Sequence, residues 1–82
     1  MKEFIEYLVS QIVKNPKDVS VLEINSNGIT VYEIEVNQED MGIVIGKKGR
    51  TINNIRSLVK AKAIKDGVRV QVELTDKANV TI

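Results

Sequence analysis

The sequence predicts an α+β fold with elements in the order α-β-β-α-α-β: a three-stranded mixed sheet with three helices packed on one face. Three observations carry that prediction. Apolar residues recur at helical spacing in residues 4–13 and again in 50–65. An Asn-Gly pair divides two β-branched runs within 19–36, and residues 68–74 alternate apolar with polar. At 82 residues there is material for one core and no second domain.

Taken in order, Ile5, Leu8, Val9 and Ile12 fall at i, i+3, i+4 and i+7. The first helix is therefore expected to run through Val13 and to stop at Asn15-Pro16, because proline disfavours helical geometry in the residue before it. Val19 to Ile24 is the first strand, Asn27-Gly28 the hairpin turn, and Ile29 to Val36 the return strand. In that strand Tyr32, Ile34 and Val36 point inward while Glu33 and Glu35 point to water, with the Tyr32 hydroxyl near the surface. Asn37 is expected to cap a short helix that starts near Gln38. Glu39 and Asp40 sit in its first turn, near the positive end of its dipole, and Met41, Val44 and Ile45 form its apolar side. A longer helix from about Arg50 to Lys65 carries Ile52, Ile55, Val59 and Ala63 on one stripe and ends at Asp66-Gly67. Val68, Val70, Val72 and Leu74 then face the core from the last strand, and Asp76 to Ile82 is expected to be a mobile or strand-extending tail.

Composition narrows the function. With 43% hydrophobic and 28% charged residues the chain is expected to fold and not to remain disordered. It has no cysteine and no histidine, which removes thiolate and imidazole chemistry, so no enzyme, catalytic residue, metal or cofactor is expected. Glu39-Asp40 has no third ligand beside it and is explained by helix capping. No apolar run approaches a membrane span, and Met1 to Val13 does not resemble a signal peptide, so a cytoplasmic location without membrane insertion is expected. The net charge of +1 hides a strong asymmetry. Residues 1–45 hold three lysines against eight acids, whereas residues 46–69 hold eight basic residues against Asp66 alone. Such a segment is the footprint of a polyanion binder.

Within it lies Gly46-Lys47-Lys48-Gly49, two glycines three apart that feed a helix N-terminus. Glycines let backbone N–H groups approach a ligand, the lysines add charge, and the helix end favours anions. Counting from Gly42, Lys47 stands where a Walker loop needs its second glycine, and no Gly-x-Gly of a dinucleotide fingerprint occurs. The longer run Gly42-Ile43-Val44-Ile45-Gly46-Lys47-Lys48-Gly49-Arg50-Thr51-Ile52 instead resembles the signature of the KH family of RNA-binding domains. The element order is similar to the type II arrangement, with residues 1–82 as a single KH domain and a GxxG core over about 29–75.

That resemblance implies that Gly46, Lys47, Lys48 and Gly49 clamp the backbone of single-stranded RNA, with Arg50 just beyond and Ile45 and Ile52 as an apolar floor. It places bases between the two helices and the last strand, where Arg69 and Gln71 are edge contacts. Arg56 lies within two turns of the clamp and either reaches a phosphate or pairs with a nearby acid. In length the chain is similar to the bacterial KhpA family. This implies a homodimer, or a heterodimer with a KhpB-like RNA-binding protein, acting as an RNA chaperone linked to cell-wall homeostasis and cell length. Phe4, Tyr7 and Tyr32 all fall outside the clamp, so backbone contact and not aromatic stacking is expected to supply affinity. The alternatives are a protein-interaction module whose groove is unused, and a basic helix that lies on anionic membranes.

Overall fold

The computed structural model describes residues 1–76, and the tail expected beyond them lies outside the described residues. The elements are α1 (Lys2–Ser10), β1 (Ser20–Ser26), β2 (Ile29–Val36), α2 (Met41–Ile45), α3 (Arg50–Asp66) and β3 (Arg69–Asp76). Single 3-10 turns occur at Pro16–Asp18 and Gln38–Asp40, and Lys47–Gly49 form a kinked, non-helical turn between α2 and α3. Both the expected order and the expected α+β class are present.

β2 is central, and the sheet is mixed. β1 and β2 pair antiparallel, with Ser26 opposite Ile29 across Asn27-Gly28, both at positive φ as a two-residue hairpin turn needs. β2 and β3 pair parallel, from Ile29 opposite Arg69 to Val36 opposite Asp76. Parallel neighbours require a crossover, which α2, the glycine loop and α3 provide. β3 is thereby left at a sheet edge with α3 packed along it.

The helices cover one face of the sheet. Ile5 and Val9 of α1, Met41 and Val44 of α2, and Ile52, Ile55, Val59 and Ala63 of α3 are buried against Val21, Tyr32, Ile34, Val36, Val72 and Leu74. The expected α3 stripe is therefore the buried one. Tyr32 stands opposite Glu23 of β1. Burial, then the Glu23 charge and its hydrogen bond, push the phenol above its ordinary value.

Besides α2, which starts at Met41 after a 3-10 turn at Gln38–Asp40 and not near Gln38, three boundaries differ from expectation. β1 continues to Ser26, and among its apolar residues only Val21 is buried, since Leu22 and Ile24 face outward. β3 starts at Arg69, leaving Val68 exposed before it. The third is the first helix, which ends at Ser10, four residues before Lys14. Here the Ser10 hydroxyl turns back onto the Tyr7 carbonyl at 2.9 Å. Beyond it the Lys14 and Asn15 amides donate to the carboxylate of Asp40, each at 3.0 Å, and the Asn15 side chain adds a third bond at 3.1 Å. A longer helix would need those amides for its own carbonyls.

Asp40 thus does a different task from the one its position suggested. It is fully buried and fastens the loop after α1 to the start of α2, while Asn37 caps the turn by accepting from the Glu39 amide at 2.8 Å. Burial pushes the Asp40 carboxyl up, but bonds from the Lys14 amide and from the Asn15 side chain and amide, with the Lys14 charge, outweigh it. The group is held below the usual carboxylate range.

Candidate nucleic-acid interface

Three of the four residues in the Gly46–Gly49 loop have positive φ: Gly46 at 75°, Lys48 at 57° and Gly49 at 75°. The first turn of α3 explains why Gly46 must be glycine. A Cβ there would collide with the Thr51 hydroxyl and lie 2.8 Å from the Thr51 backbone nitrogen. At Gly49 the nearest atom to such a Cβ is the Asn53 amide nitrogen at 3.7 Å, so its requirement is conformational alone. Lys48 has a side chain in the same left-handed region, which costs about 1–2 kcal/mol.

The fold turns this geometry into a set of donors. Gly46 donates to Gly42 at 2.9 Å and Gly49 to Gly46 at 3.2 Å, but among the described residues the amides of Lys47 and Lys48 donate to no backbone carbonyl. Both lysine side chains and that of Arg50 are exposed beside them. Immediately after comes the N-terminus of α3, 17 residues long and with no acid in its first turn. Free amides, exposed cations and the positive end of a helix dipole converge on one small surface, an arrangement suited to an anionic group.

The other candidate residues spread outward from this loop. Ile45 is half-buried and packs against the core, and Ile52 lies within the core at 3% exposure. Arg56 spans the gap to the sheet edge: its Nε donates to the Val72 carbonyl at 3.2 Å and its Nη1 to Asn53 Oδ1 at 3.3 Å. Its partners are thus a backbone carbonyl and an amide, with no acid among them. Asn53 was not singled out from the sequence, although its i, i+3 spacing to Arg56 was available as a signal. Thr51, which fixes Gly46, carried no such signal. Arg69 begins β3 opposite Ile29, beside the far end of a helix about 25 Å long, so the fold does not bring it to the clamp.

Concavity lies beside the clamp. An open groove of about 390 Å³ runs between Arg56 and Lys60 of α3 and Val70 to Glu73 of the edge strand. This sorts the basic residues of α3. Lys60 joins the groove, whereas Lys62 stands 6.0 Å from the Phe4 ring centroid and ties α3 to α1. Among the described residues no cluster of three or more acidic, histidine or cysteine side chains is placed to hold a metal ion. No helix among them is long and apolar enough to cross a membrane.

Residues 2–74 match the family model described as KhpA/KhpB, KH domain. The RNA-binding protein KhpA of Chlamydia trachomatis is 39% identical over 77 residues, covering 94% of this chain and 99% of that protein. The RNA-binding protein KhpA of Clostridium perfringens is 45% identical over 74 residues, covering 90% and 99%. That of Thermotoga maritima is 51% identical over 61 residues, covering 74% and 81%. Among solved structures, a crystal structure of an Aquifex aeolicus Era variant bound to GDP·AlF4⁻ matches with a TM-score of 0.66 at 20% identity, over 92% of this chain and 29% of that one. At that identity the likeness concerns the fold.

Proposed function

The chain belongs to the KhpA/KhpB family of KH domains, and on that premise we propose that it binds single-stranded RNA by its backbone at Gly46–Gly49 and acts without catalysis. One observation carries the reading: the free amides of two exposed lysines, Lys47 and Lys48, held by a loop with three positive φ values at the head of α3. The relatives named RNA-binding protein support the same class of ligand.

The whole chain, residues 1–82, then acts as one cytoplasmic KH domain with its GxxG core over about 29–75. A clamp on four nucleotides touches three or four phosphates, and contacts of that kind give dissociation constants of about 10⁻⁴ to 10⁻⁶ M. Two linked sites raise affinity by about 10²- to 10⁴-fold, which favours a homodimer or a complex with a KhpB-like RNA-binding partner. In that form the protein serves as an RNA chaperone in post-transcriptional regulation, with a link to cell-wall homeostasis and cell length.

Charge reversal tests the reading. Lys47→Asp/Lys48→Asp is expected to weaken binding of labelled single-stranded RNA by about tenfold or more in fluorescence anisotropy, with thermal stability retained because both side chains are exposed. Unchanged affinity would refute the clamp and leave a KH-fold interaction module in its place.

A further inference from the structure

Past the groove beside Arg56, a second hollow of about 310 Å³ opens between the end of α3 and the start of β3. Its floor is apolar, formed by Ala63, Ile64, Val68 and Val70 with Ile29 of β2 beneath. The two hollows share Lys60, Val70 and Gln71 and so lie side by side along the edge strand. We propose that the distal hollow is a base-binding subsite for a nucleotide beyond the four that the glycine loop holds. This inference rests on the RNA-binding reading above and extends the length of strand that the molecule engages.

Position, lining and charge all support that occupant. Ile64 lies 14 residues along α3 from Arg50, which places it about 21 Å from the loop end of the helix. It is 73% exposed and Val68 is 49% exposed, so neither side chain is consumed by the core. An exposed isoleucine and valine around a concave floor offer a flat ring an apolar bed, in a groove without aromatic side chains. Lys60 and Arg69 stand among the lining residues as cations for the flanking phosphates, which an uncharged ligand would not use. Arg69, too far from the clamp to serve it, acquires a role here. Because β3 is an edge strand, its outer backbone groups pair with no further strand among the described residues; the Val72 carbonyl is taken by Arg56, and the groups nearer the distal hollow are those left to a base edge.

The test is a length series of oligouridylates from four to eight nucleotides, measured by fluorescence anisotropy on the full chain at fixed low salt. Wild type is expected to show a step of about tenfold at one length beyond four, set by burial of one base. Ile64→Ser and Val68→Ser, both on the surface, are expected to abolish the step while leaving tetranucleotide affinity and thermal stability unchanged. An abasic nucleotide at the stepping position is expected to abolish it as well. A smooth rise with length, insensitive to both serine variants and to base removal, would overturn the distal subsite and leave the RNA clamp standing. Absence of binding at every length would overturn the clamp and the subsite together.

Discussion

Gly46 and Gly49 share a φ of 75° but face different neighbours, and substitution separates them. Gly49→Ala is expected to cost about 1–2 kcal/mol, the left-handed penalty alone. Gly46→Ala costs more, because the added methyl also meets Thr51, and urea denaturation of the two variants measures the difference. Lys48 gives the complementary case. Lys48→Gly relieves the left-handed side chain and is expected to stabilise the fold by up to about 1 kcal/mol, yet to weaken RNA binding by removing a cation. At Asp40 the prediction concerns pH. The folded carboxyl lies below its ordinary value, so its contribution is fully present above the unfolded value of about 3.9 and is lost as pH falls through the folded one. Asp40→Asn is therefore expected to lower the melting temperature at pH 7, and that deficit shrinks toward zero below pH ~4, which a pH series of thermal melts reads directly.

Elements fixed by local chemistry are legible in the sequence, and boundaries fixed by contacts across the fold are not. The α3 stripe of Ile52, Ile55, Val59 and Ala63 and the Asn27-Gly28 hairpin appear as expected, because periodicity and turn residues decide them within a few positions. The end of α1 is not legible locally because the acceptor of the Asn15 amide is Asp40, 25 residues away. Val68 continues the alternation of β3 in the sequence, yet pairing with β2 starts at Ile29 opposite Arg69 and leaves it outside the strand. The loop of the candidate site was legible from its glycines and lysines, but the partner of Arg56 is a carbonyl on a strand that the parallel crossover brings back. Arg56→Met tests that strut. Loss of its bonds to Val72 and Asn53 is expected to reduce stability by about 1 kcal/mol in urea denaturation and to weaken RNA binding at the groove it lines.

For the whole molecule, the +1 net charge is the sum of two unlike halves, and the fold gathers Lys47, Lys48 and Arg50 at the head of α3 while Arg56 and Lys60 line the groove beside it. Under the proposed reading one such surface is expected to bind weakly, so that valency governs useful affinity. Two copies joined by a flexible Gly/Ser linker are expected to bind a long single strand about 10²- to 10⁴-fold more tightly than one copy, with no comparable gain on a tetranucleotide that spans one site. The central claim, that the loop holds RNA by its phosphates, is tested most directly by the salt dependence of tetranucleotide binding. Three to four contacts predict a log–log slope of about −2 to −3, and Lys47→Asp/Lys48→Asp is expected to flatten it by about 1.4. A slope near zero, or one that the double substitution leaves unchanged, would contradict the account.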